Sequence, residues 1–448
     1  MSSLLLFALA GTSVQAAPSD FTGEPSATRP AHHIYQVPWW EREAPERPPW
    51  LEASEPPSTP PYQLGEFDPV DAILLTAWYS NYGLGNSYIP MVEALAERNV
   101  PVYACKTYAS DNMSSKSELE DAGLEDAVEW IDCDLDSIWM RDYGPFFAMD
   151  EDANQMLGDA VYYEYSENDD SYPEQAGEWL DDEVYQVPLN MEGGNFYSNG
   201  EGLCVSTNVV YRWYTGTSKE DAEQVYAERL GCDESLFLDP LSGEGTGHVD
   251  MYFTFVSHDH AIVGSYDPDV DATNAELLDE QAAILEDAGI RVSRIPMPPH
   301  EDLDGDGWED FATFINGFFV DYGDESFFLM PWYPESYPDE SDAGLVAMQE
   351  ALPDHEVIPI AADELITLGG ALHCVVKSMP TLQWPRPCED VYDFNDDDPR
   401  CAVAETDEEK GFLGCACATT SPTPPSRSSM AWFGLVLAGA VLRRKGRG

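Results

Sequence analysis

The chain has 448 residues, room for one large domain or two ordinary ones. Its 84 acidic residues against 21 Lys and Arg give a formal charge of -63 at pH 7, which repels nucleic acid and excludes it as a partner. With 43% hydrophobic residues and 12% aromatics the chain can still pack a core, so the acidity reads as a solvated coat on a globular protein.

In chain order, MSSLLLFALAGTSVQAAPSD sets an apolar run, Leu4 to Ala10, before small residues at Ala16 and Ala17. That is the order of a secretory signal, so residues 1–16 are expected to be removed on export. Residues 17–61 form a Pro- and Glu-rich leader that cannot order itself alone, although its YQVPWW stretch is suited to packing on a domain. The catalytic domain is expected over 62–390. It begins with DAILLTAW, a buried strand, and SYIPMVEALAERNVPVYAC, an amphipathic helix leading into a second strand.

The same unit recurs. VYYEYS precedes EQAGEWLDDEVYQVPL, GLCVSTNVVYRW precedes KEDAEQVYAERLG, HAIVGSY precedes AELLDEQAAILEDAGIRVSRIP, and SFFLMPWY precedes DAGLVAMQEALPDHEVIPI. Each pairs a strand with a helix and returns to a strand, so the class is α/β, with about five units between Tyr62 and Pro387. A doubly wound sheet is the default architecture, and a pseudo-symmetric α/β ring competes with it.

Beyond the domain lie an acidic and Ser/Thr/Pro-rich linker, 391–429, and a short membrane segment with a basic end, 430–448. The apolar run from Met430 to Leu442 is short for a bilayer, which takes about 20 residues. Taken whole, the Cys pair, spacer, apolar run and arginines resemble the C-terminal anchoring signal of myxobacterial surface proteins. That implies an exported chain at the cell surface or outer membrane, held only through its tail or later released. Nine cysteines divide accordingly. Cys415 and Cys417 belong to the tail and Cys374 stands apart. The other six, Cys105, Cys133, Cys204, Cys232, Cys388 and Cys401, suit three disulfides in an oxidising compartment, with sequential neighbours expected to pair.

Four segments carry polar residues inside apolar or Gly-rich surroundings. SIWMRDYGPFF sets Arg141 and Asp142 beside Trp139; MEGGNFYSNG sets Glu192 before Gly193 and Gly194. GTGHVDMYFTF holds His248 and Asp250, two apart and so on one side of an extended strand. LGGALHCVVKSMP holds Cys374 behind Gly369, Gly370 and His373. A surface ion pair, a glycine turn, a structural histidine and a buried thiol are the bland readings of these segments one by one. Together they supply what attack on a cationic carbon needs: carboxylates hold a guanidinium by paired N–H bonds, and a thiolate adds to its central carbon.

WMRDYGP, EGGNF, GTGHVD and GGALHC, in that order, resemble the agmatine deiminase and bacterial peptidylarginine deiminase family of guanidine-modifying enzymes. The likeness runs from EFDPVDAILLTAW to HCVVKSMP. It implies a pentein fold, a five-bladed α/β propeller, in place of the doubly wound default. It further implies Cys374 as nucleophile, His248 as general acid/base, Asp142 and Asp250 as the guanidinium clamp, and Glu192 as an acid at the substrate. Asn316, in TFINGFFVDYG, takes a supporting role, and Trp139 and Arg141 are expected to contact substrate. The implied reaction is hydrolysis of peptidyl-arginine to peptidyl-citrulline and ammonia through a covalent thiouronium, without a cofactor. Agmatine deiminase giving N-carbamoylputrescine, an amidinotransferase, or an inactive surface-displayed binding module of the same fold are the alternatives. Expected partners are arginine-containing peptides or proteins, or agmatine.

DLDGDGWED adds a separate expectation. Asp302, Asp304 and Asp306 at loop positions 1, 3 and 5, Gly307 at 6 and Asp310 at 9 match part of a Ca²⁺ loop, while Thr313 replaces the usual Glu at 12.

Overall fold

The computed structural model describes residues 38–40, 56–57, 59–77, 82–106, 112–150, 153–163, 166–212, 217–382, 386–387 and 401–402. The expected signal, the linker apart from residues 401–402, the membrane segment, Cys388, Cys415 and Cys417 lie outside them. The chain divides after Trp384 into two units. In the second, Arg386–Pro387 pairs in parallel with Cys401–Ala402.

The first unit is built from five small sheets on one plan. A first strand turns back antiparallel into a second, and the second returns through a helix to a parallel third. The first sheet is Phe146–Met149, Gln155–Val161 and Glu183–Asn190, with Tyr62–Gln63 added at its edge. The second is Tyr197–Ser198, Leu203–Thr207 and Glu234–Leu238. The third is Phe253–Ser257, His260–Ser265 and Arg291–Pro296. The fourth is Phe318–Tyr322, Glu325–Trp332 and Glu356–Ala361. In the fifth, Val376–Pro380 pairs antiparallel with Val70–Thr76, which continues in parallel to Val102–Lys106 and Glu129–Asp132. Residues far apart in sequence thus close one sheet.

This arrangement replaces the doubly wound default. The alternation of strand and helix was legible, but the hairpin that opens each of the first four sheets was not. In the fourth sheet Tyr322 pairs with Glu325 across Gly323 and Asp324, and Gly323 has φ +67°, the left-handed backbone that two-residue hairpins use. Second strands sit between neighbours and read as near-continuous apolar runs: Leu203–Thr207 is wholly buried, and so are Phe327 to Pro331. Helices cover them with one face each. Gly85–Glu97 buries Tyr88, Met91, Val92 and Leu95, a helical spacing, and the chain leaves it through Asn99 at φ 58°. Ala272–Asp287 is started by Asp271, whose side chain accepts from the N–H groups of Thr273 and Asn274.

Disulfides join Cys105 to Cys133 and Cys204 to Cys232, both neighbours in sequence order as expected. Cys204 lies in Leu203–Thr207 and Cys232 just ahead of Glu234–Leu238, while Cys105 lies in Val102–Lys106 and Cys133 directly after Glu129–Asp132; both bridges span a separation of 28 residues. Closing loops of that size is worth about 3–4 kcal/mol in the chain-entropy account. Part of the leader does pack on the domain: the Trp39 N–H donates to the Gly245 carbonyl at 2.9 Å, and the Arg212 guanidinium lies over its ring.

Candidate active site

Every sheet is entered through a turn, and each of these turns delivers one of the expected residues. Met140–Tyr143, a single helical turn, brings Asp142 ahead of the first sheet. Glu192 lies directly before the 3-10 turn Gly193–Asn195 ahead of the second. His248 caps the 3-10 turn Val249–Met251, which contains Asp250, ahead of the third. Asn316 precedes the fourth, and the 3-10 turn His373–Val375 holds Cys374 ahead of the fifth. The turns at Met140, Gly193, Val249 and His373 pack against one another in the sequence of the sheets. His248 and Asp250 therefore do not share the face of a strand, as their spacing suggested. The strand begins only at Phe253, and the turn converges the two side chains instead.

The centre is dry. Cys374, His248, Asp142, Asp250, Glu192 and Asn316 are all buried, with Asp250 and Asn316 wholly so. A Cβ added at Gly194 would lie 2.7 Å from His248 Nδ1, 2.8 Å from Asp142 Oδ1 and 2.9 Å from Asp250 Oδ2. Three functional groups thus close on one spot that only glycine leaves open. The Gly194 N–H also donates to Asp142 Oδ1 at 3.0 Å, fixing one clamp oxygen. Behind the nucleophile, a Cβ at Gly370 would strike Cys374 Sγ at 2.7 Å and the Trp139 ring at 2.9 Å, so Trp139 flanks the sulfur.

Cys374 is reduced and buried. Its Sγ lies 3.3 Å from Asn316 Nδ2, 3.4 Å from Asn316 Oδ1 and 3.7 Å from Asp250 Oδ2. Burial, then the charges of Asp250 and Asp142, push its thiol well above the ordinary range. His248 Nε2 meets Glu192 Oε2 at 3.0 Å, and Tyr163 donates to the other Glu192 oxygen at 2.8 Å. His248 Nδ1 faces Asp142 Oδ1 at 3.7 Å. Burial alone would lower the imidazole, but Glu192, Asp142 and Asp250 outweigh it and raise His248 to about 10.

Arg141 is anchored within the centre itself. Its Nη1 pairs with Glu66 Oε1 and its Nε donates to the His373 carbonyl at 3.3 Å. Two residues that sequence reasoning gave no role also belong to the centre. His373 Nδ1 meets Asp250 Oδ2 at 2.7 Å, its Nε2 meets Glu66 Oε2 at 2.7 Å, and the Tyr197 ring stacks on it at 5.4 Å. Burial would raise the Glu66 carboxyl, yet Arg141 and His373 hold it down at about 2. His373 stood next to the nucleophile in GGALHC, a signal passed over. Glu66, in GEFDP, is more than 300 residues away in sequence and carried none.

The acidic loop brings together Asp302, Asp304 and Asp310, with carboxylate oxygens within 4.8 Å of one another. Asp306 is not among them: its Oδ1 accepts the Trp308 N–H at 2.9 Å within the turn. Burial and the neighbouring aspartates raise Asp310 to about 7.

Comparison with known proteins gives a consistent result. Residues 76–380 match the model of the Porphyromonas-type peptidyl-arginine deiminase family. Agmatine deiminase from Stutzerimonas stutzeri is 23% identical over 344 residues, 68% of this chain and 89% of that protein. The solved structure of agmatine deiminase of Enterococcus faecalis superposes with TM-score 0.62 at 17% identity, covering 72% of this chain and 98% of that one. Agmatine deiminase of C. jejuni does so with TM-score 0.62 at 18% identity, covering 72% and 97%. The five-sheet architecture is therefore the expected pentein fold.

Proposed function

Because the chain belongs to the Porphyromonas-type peptidyl-arginine deiminase family, whose members are hydrolases acting on amidines, we propose that it converts peptidyl-arginine to peptidyl-citrulline and ammonia. One observation carries the reading: a buried thiol, an imidazole and two clamp carboxylates converge on one spot, with Asp250 Oδ2 within 3.7 Å of the sulfur. Asp142 and Asp250 hold the guanidinium, and Trp139 packs beside the sulfur. Agmatine is the second reading, favoured by the named activity of the relatives above.

In the empty centre Cys374 is held as a thiol by burial and by the clamp charges. A guanidinium between Asp142 and Asp250 offsets those charges, so binding substrate favours the thiolate. The thiol proton passes to solvent as the guanidinium binds, and the sulfur attacks the central carbon. The C–N bond breaks, ammonia departs with a proton from His248, and an S-alkylthiouronium remains. Water, deprotonated by His248, then adds to the same carbon. The C–S bond breaks, the ureido product leaves, and the thiol is restored. Glu192 keeps His248 in register through Nε2, leaving Nδ1 on the substrate side.

Two disulfides beside one reduced, buried thiol support export to an oxidising compartment. The acidic loop is read as a secondary Ca²⁺ site on Asp302, Asp304 and Asp310, outside the chemistry. Ammonia release measured with a short arginine peptide, free arginine and agmatine, with and without Ca²⁺, tests the whole reading. The peptide is expected to give the highest kcat/KM; preference for agmatine would establish the second reading, and no ammonia from any of them would reject both.

A further inference from the structure

Resting on the deiminase reading, we propose that His373 is a positioning residue: its imidazole holds Asp250 by Oδ2 and so fixes the orientation in which the carboxylate meets the substrate guanidinium. The bond from His373 Nδ1 to Asp250 Oδ2, at 2.7 Å, engages the oxygen that faces His248 and Asp142 and lies 3.7 Å from Cys374 Sγ. Asp250 Oδ1 is buried and makes no hydrogen bond among the described residues. A carboxylate rotates broadly about its last torsion, so a short bond to one oxygen sets the plane of the whole group.

The ring that does this is itself immobilised. Its Nε2 is held by Glu66 Oε2 at 2.7 Å and its face by Tyr197. The backbone of the same residue is tied at both ends: its N–H donates to the Asn316 carbonyl at 3.0 Å, and its carbonyl accepts from Arg141 Nε at 3.3 Å. Arg141 closes the circuit on Glu66. Both ring nitrogens are thus taken, Nδ1 by Asp250 and Nε2 by Glu66, and no hydrogen bond of the ring among the described residues reaches Cys374 Sγ, so proton transfer is assigned to His248. Outer partners of this kind typically contribute 10–100-fold to the function of the group they hold.

The test compares two alkylating reagents on Cys374. A haloacetamidine is a planar cation that uses the Asp250 clamp, whereas iodoacetamide is neutral and reports only access to the thiol. In the wild-type protein the amidine should react faster. His373→Phe should cut that preference by about 10–100-fold, with the iodoacetamide rate within about threefold, and should raise KM for the guanidine substrate. His373→Asn, whose amide keeps a donor near the Nδ1 position, should recover most of the preference. Should the Phe variant fail to fold by circular dichroism, Glu66→Gln decides the matter with a smaller loss in the same direction. A His373→Phe or Glu66→Gln protein with wild-type preference and KM overturns the proposal, as does a wild-type protein without preference. Preference without ammonia release from any guanidine would instead reject the deiminase reading and leave the positioning role standing.

Discussion

Two acidic regions of this molecule use the same side chain to opposite ends. Around Cys374, Asp142, Asp250, Glu192 and Glu66 sit in the interior, and each faces a histidine, an arginine or a backbone N–H. In the loop 302–310, Asp302 and Asp304 are exposed, and the backbone N–H groups of Gly305, Asp306 and Gly307 turn toward them. Burying a carboxylate is costly unless it is paired, so the interior set must be organised around positive charge, present or incoming. The loop set has water for company and needs no cation to exist. Clustering of acids is therefore a weak signal, and clustering with burial and a nearby nucleophile a strong one.

The contrast breaks most sharply at the sulfur. Cys374→Ala should abolish ammonia release, a loss of at least about 10⁴-fold, since no other group can take the covalent step. Asp250→Asn and Asp142→Asn should each lower kcat/KM by about 10²–10³-fold, because a neutral amide cannot offset the guanidinium charge. Gly194→Ala should approach those losses without removing any functional group, by filling the spot between His248, Asp142 and Asp250; steady-state kinetics checks all four variants.

Acidity probes the interior set in another way. His248 stands raised to about 10 by Glu192, Asp142 and Asp250 against its own burial, with Glu244 also facing it. As a proton donor to ammonia it should fail only above about pH 10, so kcat/KM should hold through mildly alkaline solution and fall beyond. For stability the sign is that of a raised base: the contribution is full below about 6.5 and disappears as pH rises through about 10. Glu66, lowered to about 2, acts oppositely, stabilising above about 4.5 and ceasing as pH falls through about 2. Melting curves across pH should show the two losses at opposite ends.

The smallest effect belongs to the loop. Asp304→Asn should leave ammonia release within about twofold while removing the heat of Ca²⁺ binding seen by calorimetry. That heat should weaken below pH 7, where Asp310 gains its proton. A larger kinetic effect would join the two regions.

How much of this was legible beforehand follows the same division. Residues that a turn presents in a compact string, such as EGGNF or GTGHVD, were readable because the turn and its polar residue are adjacent. The α/β repeat was readable from the helical and strand periods. The closure of the fifth sheet was not, because Val376–Pro380 and Val70–Thr76 meet across the whole domain. Glu66 was missed for that reason: it enters the centre from the turn just ahead of Val70–Thr76. The pairing of Arg141 with Glu66 was not legible either, because a motif shows which residues are neighbours but not which way a short helical turn aims them. His248 and Asp250 were assigned a shared strand face where a 3-10 turn converges them.

The central claim is that the guanidinium carbon becomes bonded to the sulfur of Cys374 during turnover. Acid quenching of the enzyme with an arginine peptide, followed by mass spectrometry of the digested protein, should find the substrate-derived amidine mass on the peptide carrying Cys374. Full turnover with that cysteine always unmodified, or the adduct on any other residue, would contradict it.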